Sequence, residues 1–136
     1  MKYLVLSLLL VISFCSCEKS DSDAVSTQLD VSASCTITSP AEKIVVANSE
    51  EELAQLLEDR SQFPKVDFSR YTVLLTHGIE NSGISHLSSK VSEQNNTWMM
   101  SVTIEHNYAT VMEPWIVAYL IPKTNGVSAK LEIFRD

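Results

Sequence analysis

The feature that most constrains the fold is a series of five strand-like segments in the second half of the chain. They span residues 71–77, 83–91, 97–106, 115–121 and 130–134. Each is rich in apolar and β-branched residues, and turn-forming residues separate them. Asn95-Asn96 and Asn125-Gly126 are two of these turns, and the second is a strong hairpin signal. The sequence therefore predicts an antiparallel meander of about five strands.

The apolar residues of these segments agree with one pairing register. Centring each hairpin on its turn produces the pairs Leu74–Leu87, Leu87–Ile104, Ile104–Ile116, Val102–Ala118, Met100–Leu120 and Leu120–Leu131. All of these side chains then share one face of the sheet, and a shift of one residue at any hairpin would break the agreement. We expect that face to be the core.

One helix is expected before the strands. Ser49 and Glu52 form a capping-box pattern, and Leu53 begins an apolar stripe that continues through about Asp59. This helix would pack on the apolar face of the sheet, which makes the fold class α+β. Residues 43–47 form a further short strand candidate, while residues 29–38 alternate like a strand or belong to a longer tether reaching Pro40.

The same register places aromatic and charged side chains together on the opposite face. His86 lies opposite Glu105, and Glu105 lies opposite Trp115, with Tyr119 nearby on the same strand. An uncovered face of this kind is a candidate binding surface for a protein or a glycan. The alternative is that the N-terminal strands cover it and close the domain into a barrel or sandwich.

The N-terminus has the features of an export signal. Lys2 precedes an apolar run of about a dozen residues, which is shorter than the ~20 residues that a membrane-spanning helix needs. No second long apolar run follows, so we expect no transmembrane helix in the mature protein. The domain prediction is a signal peptide at 1–16, a tether at 17–28 and a single globular domain at 29–136.

The end of this signal resembles a bacterial lipobox. In Phe14-Cys15-Ser16-Cys17 a small residue precedes a cysteine, and the resemblance implies that Cys17 is lipidated. The alternative is ordinary signal-peptide cleavage that releases a soluble secreted protein. Residues 18–23 resemble the acidic stretch after the lipidated cysteine in surface lipoproteins of Bacteroidota. The implied location is the outer membrane, at the cell surface or on the periplasmic side.

The composition and motifs do not predict an enzyme. A formal charge of −7 disfavours nucleic acid as a partner. Cys35 is the one cysteine left after the predicted processing, and we expect it to be buried and structural. His77, His86 and His106 lack the spacing of a zinc site, and the sequence contains no nucleophile elbow or phosphate-binding glycine motif. We therefore predict no catalytic residue, metal or cofactor.

The segment Val66 to Leu75 (VDFSRYTVLL), with the later Gly78, Ser82-Gly83-Ile84 and Glu113-Pro114-Trp115, carries a resemblance. It resembles uncharacterised small lipoproteins of Bacteroidota over about residues 42–135. More remotely, it is similar to the C-terminal β-domain of protease-complex accessory subunits. These resemblances imply an accessory or binding lipoprotein, held to the membrane by its lipid, with an envelope protein or glycan as its partner. The alternative is a protease-regulating protein or a small hydrolase.

Overall fold

Residues 26–136 are described by the computed structural model, and they form two β-sheets and one short α-helix. The elements are β1 (Thr27–Leu29), β2 (Val45–Ala47), α1 (Glu50–Leu56), a 3-10 turn (Arg60–Gln62), β3 (Tyr71–Glu80), β4 (Ile84–Gln94), β5 (Thr97–His106), β6 (Glu113–Pro122) and β7 (Ser128–Arg135). The larger sheet has the order β1-β6-β3-β2, and the smaller has the order β4-β5-β7. The prediction of a mainly antiparallel β-rich fold with one helix is confirmed, and the structure is not a closed barrel.

The predicted meander is wrong, although all five of its strands are present. Only β4 and β5 form the expected hairpin, with Leu87 opposite Ile104 as predicted. β3 pairs with β6 over its whole length, and β7 pairs with β5 in parallel. The prediction of one shared core face is also wrong. Leu74, Leu87, Met100, Val102, Ile104 and Leu131 belong to the core between the two sheets. Ile116, Ala118 and Leu120 face the other side of the larger sheet, because β6 lies beside β3 and not beside β5.

The turns explain how the chain moves between the sheets. Asn95 and Asn96 both have positive φ angles and form the tight β4–β5 hairpin. Gly126 also has a positive φ of 67°, but the chain around it crosses from β6 in the larger sheet to β7 in the smaller one. The prediction of a hairpin at Asn125-Gly126 is therefore wrong, because a turn reverses the chain without deciding its next partner.

The main core lies between the two sheets. β5 and β6 each present every second residue to it, as expected for strands with one buried face. Its buried members are Leu74, Trp98, Met100, Val102, Ile104, Trp115, Val117, Tyr119 and Ile121.

A second core lies on the other face of the larger sheet, under α1 and the N-terminal loops. Its buried members are Cys35, Ala47, Leu53, Leu57, Phe63, Val73, Leu75 and Ala118. Ser49 caps the helix by accepting a hydrogen bond from the backbone N–H of Glu52, as predicted. The helix ends at Leu56, before the predicted Asp59, because Leu57 is extended and forms an isolated β-bridge with Ile37. Cys35 is buried here, and burial raises the pKa of its thiol.

The N-terminal part pairs less than its alternation suggests. Residues Thr27–Leu29 form a short strand on the edge of β6, and Ile37 contributes a single bridge, so most of 29–38 is not a strand. Among the described residues, Thr27 and Gln28 already pair with β6, although both lie in the segment predicted to be a tether. The predicted signal peptide and Cys17 lie outside the described residues.

The turn before β3 uses part of the segment that carries the resemblance. The Asp67 carboxylate accepts hydrogen bonds from the backbone N–H and the hydroxyl of Ser69, which lowers the pKa of that carboxyl group. Tyr71 donates its backbone N–H to the Asp67 carbonyl, and Phe68 packs against the second core. These residues set the point at which β3 starts.

Candidate functional site

Trp115 and Tyr119 do not lie on the predicted binding face. They are 2% and 5% exposed, and both point into the gap between the sheets. The prediction that they share a face with His86 and Glu105 is wrong, because β6 pairs with β3 rather than with β5. Tyr119 instead exchanges a hydrogen bond with the Ser89 hydroxyl, which joins β6 to the smaller sheet.

His86 and Glu105 occupy the predicted register. They are direct partners on β4 and β5, and both are exposed. Their side chains lie on the outer face of the smaller sheet, away from the core that contains Trp115. A role for the pair in binding stays a prediction.

Trp115 belongs to a polar cluster at one end of the sandwich. Its indole Nε1 donates to Glu80 Oε1 over 3.0 Å, and the ring lies against Gly78 on the neighbouring strand. A Cβ added at Gly78 would lie 2.6 Å from Cζ2 of the indole. The absence of a side chain at Gly78 therefore lets the ring reach Glu80.

Glu80 is the centre of this cluster, and its carboxylate is buried. Oε2 accepts from His106 Nε2 at 2.8 Å and from Arg135 Nε at 3.1 Å, while Arg135 Nη2 donates to Oε1 at 3.0 Å. Arg135 also forms an ion pair with Glu42. The hydrogen bonds from Arg135, His106 and Trp115 outweigh the effect of burial and lower the pKa of Glu80 to about 2. We call Glu42, Glu80, His106, Trp115 and Arg135 the Glu80 cluster.

The surroundings of His106 favour its cationic form. Its Nε2 faces the ionised Glu80, and its Nδ1 lies 3.0 Å from the main-chain oxygen of Asp136. Both partners are acceptors only, so both ring nitrogens must donate. The hydrogen bond to Glu80, followed by the one to Asp136, raises the pKa of His106 above its ordinary value.

An open cleft of about 710 Å³ lies beside the Glu80 cluster. Two connections form it, the turn after β3 and the loop after β5. Polar side chains dominate the lining, including Asn81, Ser82, Ser85, Glu105, Tyr108 and Thr110. We call this site the end cleft.

Backbone hydrogen bonds join the two connections. The Asn107 N–H donates to the Gly83 carbonyl at 2.8 Å, and the Gly83 N–H donates to the Ala109 carbonyl at 3.1 Å. The Asn107 side chain lies directly over Gly83, so close that a Cβ there would overlap it. The base of the loop is thus fixed, and Tyr108 projects from it.

Apolar side chains are exposed next to the end cleft. Tyr108 is fully exposed. The exposed fractions of the other three residues are 55% for Ile79, 51% for Val111 and 71% for Met112. Ile79 and these loop residues belong to the same end of the sandwich, since Ile79 pairs with Pro114 and the loop leads directly into β6. We call these four residues the end patch.

The sequence does not predict the Glu80 cluster. Glu80 lies in a segment predicted to be a turn, and the spacing of His106 is tested only against a zinc site. Arg135 and Glu42 are far from Glu80 in sequence, at separations of 55 and 38 residues. A glutamate and an arginine inside apolar strands are the only signal that could have indicated a buried ion pair.

The chemistry available to the Glu80 cluster is structural rather than catalytic. Every oxygen of the Glu80 carboxylate accepts at least two hydrogen bonds, and both nitrogens of His106 are engaged. A group engaged in this way is poorly placed to take a proton from a substrate. Within residues 26–136, no group of three or more His, Cys, Asp or Glu side chains is arranged to hold a metal ion.

Comparisons with protein-family models, curated proteins and solved structures found no match to this chain. The resemblance to small lipoproteins of Bacteroidota therefore stays a prediction.

Proposed function

We propose that this protein is a lipid-anchored, non-enzymatic binding module of the bacterial outer membrane, attached through Cys17. The apolar run, the lipobox-like Phe14-Cys15-Ser16-Cys17 and the acidic residues after it support the anchor. Two or three acyl chains hold a protein at a membrane far more firmly than one chain does. In the described part of the chain, no helix has both the length and the apolar character of a membrane span.

The path of the chain indicates which end of the domain faces away from the anchor. β1 runs antiparallel to β6, with Thr27 opposite Leu120. The chain therefore reaches the domain near the Pro122 end of β6. The Glu113 end lies seven residues beyond Leu120, or about 23 Å at the rise of an extended strand. The end cleft and the end patch are at that far end.

The observation that carries the proposal is the distribution of exposed apolar side chains. Among residues 26–136, four of the five large hydrophobic side chains that are exposed belong to the end patch, and the fifth is Phe134. Exposed apolar groups gathered in one place mark interaction sites more often than scattered ones do. The module would thus present the end patch and the end cleft to a partner in the cell envelope.

Mass spectrometry of the full chain tests the anchor. We expect the mature protein to begin at Cys17 and to carry acyl chains, and Cys17→Ser to remove them and release the protein from the membrane fraction. An unmodified N-terminus on wild-type protein taken from membranes would contradict the anchor.

Photo-crosslinking in intact cells tests the orientation. A photoreactive amino acid replaces Met112 in the end patch or, as the control, Thr124 at the opposite end of the domain. We expect a specific adduct with an envelope component from position 112 and none from position 124. Equal adducts from both positions would contradict a binding surface at the far end.

The alternative function is a protease-regulating protein or a small hydrolase. We find no observation among residues 26–136 that favours it, since the buried Glu80 carboxylate is occupied and His86 is an exposed side chain that lies opposite Glu105 in the β4–β5 register. A protease and glycosidase panel, with His86→Ala and Glu105→Ala as comparison variants, distinguishes it from the binding module.

A further inference from the structure

The end cleft has the size and lining of a site for a small polar ligand. Its volume of about 710 Å³ lies within the range of ligand pockets, which is ~300–1,000 Å³. Neutral hydroxyl and amide groups line it, together with the carboxylates of Glu105 and Asp136, the His106 ring and the aromatic ring of Tyr108. Such a lining suits a ligand that both donates and accepts hydrogen bonds.

Several of these polar groups are free to bind. Within residues 26–136, the hydrogen bonds of the cleft use the Ser85 hydroxyl, the Asn107 amide and the His106 ring. The side chains of Asn81, Ser82, Glu105, Thr110 and Asp136 take no part in them. The cleft therefore offers an amide, two hydroxyls and two carboxylates to a ligand.

The charges around the end cleft disfavour an anionic ligand. The positive charges of His106 and Arg135 are already matched by Glu80 and Glu42. Glu105 and Asp136 add negative charges that no ion pair among the described residues balances, and the whole chain carries a formal charge of −7. A phosphate or carboxylate group would therefore be repelled, whereas a neutral hydroxyl can donate to the Glu105 carboxylate.

Tyr108 supplies the apolar part of the site. Its ring is fully exposed, although the backbone at the base of its loop is fixed by Gly83. An exposed aromatic ring at the mouth of a polar cleft provides a flat surface for an apolar face of a ligand. Sugar rings combine such an apolar face with a rim of neutral hydroxyl groups.

From these observations we infer that the end cleft binds a neutral carbohydrate chain, which stacks on Tyr108 and donates hydroxyl groups to Glu105. This inference rests on the proposed function, because it names the ligand class of the same end of the domain. The observations favour a carbohydrate over a protein at this position, since the cleft lining is polar and the apolar residues Val111 and Met112 lie outside it.

Titration of the purified full chain in detergent tests the inference. Uncharged oligosaccharides of glucose, xylose, mannose and galactose are added, and amide chemical shifts are followed by NMR. We expect at least one of them to shift the amide signals of Ser82, Glu105 and Thr110. Tyr108→Ala should weaken that binding about tenfold or more, because a central aromatic contact is commonly worth over 1 kcal/mol, and 1.4 kcal/mol is tenfold. Glu105→Gln should weaken it less.

Phe134→Ala is the matched control, because Phe134 is the exposed aromatic residue of β7 and lies outside the end cleft. It should bind like the wild type. Absence of binding across the panel, or equal binding by Tyr108→Ala, overturns the inference. A photoreactive residue at position 108 that forms an adduct with protein but none with carbohydrate also overturns the inference.

The two proposals fail separately. Carbohydrate binding in detergent does not depend on Cys17 or on location in the cell. If glycan binding is absent but the crosslink from position 112 is present, only the carbohydrate inference fails. If the protein binds a glycan but carries no acyl chains, only the proposed anchor fails.

Discussion

Two buried polar side chains on β3 have opposite surroundings. Glu80 receives hydrogen bonds from Trp115, His106 and Arg135. Thr76 lies four residues before Glu80 on the same inner face of β3. It is fully buried, and its hydroxyl has no partner among the described residues. A satisfied buried charge can stabilise a fold, but an unpaired buried hydroxyl group costs free energy.

Replacing Thr76 with valine removes that unpaired hydroxyl while keeping the shape of the side chain. We expect the free energy of unfolding to rise by about 1 kcal/mol, measured by denaturant unfolding. Thr72→Val is the matched control, because Thr72 is equally buried but donates its hydroxyl to Asn48 Oδ1 at 2.7 Å. That variant should be less stable than the wild type. A loss of stability in Thr76→Val would show that its hydroxyl has a partner.

At the scale of elements, β3 and β6 determine how the sandwich is built. They pair over ten residues, from Tyr71 opposite Pro122 to Glu80 opposite Glu113. β3 has an inner face toward the smaller sheet and an outer face toward α1, so both cores depend on it. Its continuous apolar run reflects burial on two sides.

The contact between Gly78 and Trp115 gives a test of this pairing. We expect Gly78→Ala to lower the free energy of unfolding by about 1–3 kcal/mol, because the new methyl group overlaps a buried indole that has little room to move. In a Trp115→Phe background, Gly78→Ala should lower the free energy of unfolding by less. The new methyl group meets indole atoms that a phenylalanine ring lacks. A double-mutant cycle with denaturant unfolding measures the difference, and equal costs in both backgrounds would contradict the contact.

At the scale of the whole molecule, the Glu80 cluster joins parts that the chain separates. It connects β3 and β6 in the larger sheet to β5 and β7 in the smaller sheet, and Glu42 adds the N-terminal part. Loss of one charge in it would therefore weaken the contact between sheets rather than a local turn.

The pH dependence follows from two groups in this cluster. The pKa of Glu80 falls from 4.5 to about 2, so its contribution to stability is present above pH 4.5 and is lost as the pH falls toward 2. The pKa of His106 is raised above 6.5, so its contribution is fully present below pH 6.5 and is lost as the pH rises through the raised value. The cluster therefore stabilises the fold most between pH 4.5 and 6.5.

We expect Glu80→Gln to lower the free energy of unfolding by about 3 kcal/mol in that window. The difference from the wild type should shrink on both the acid and the alkaline side, as measured by denaturant unfolding across the pH range. Glu50→Gln is the control, because Glu50 pairs with Arg60 but is exposed, and a surface pair contributes at most ~1 kcal/mol. A difference that is the same at every pH would contradict the ionisation states assigned to Glu80 and His106.

The sequence by itself determined the local features of this protein. The helix start at Ser49, the approximate positions of five strands, and the β4–β5 hairpin with His86 opposite Glu105 follow from capping, alternation and turn residues. These features depend on residues close together in the chain, so the pattern of one segment is enough to indicate them.

Only the tertiary structure decided which strands pair and which residues meet at the far end. Alternating apolar and polar residues show that a strand has one apolar face. They do not show which strand lies beside it in the sheet or which sheet packs on that face. Placing β6 beside β3 turned Trp115 inward to Glu80, and placing β7 beside β5 brought Arg135 to the same carboxylate. Such long-range pairings are chosen by burial of the whole core, which no single segment encodes.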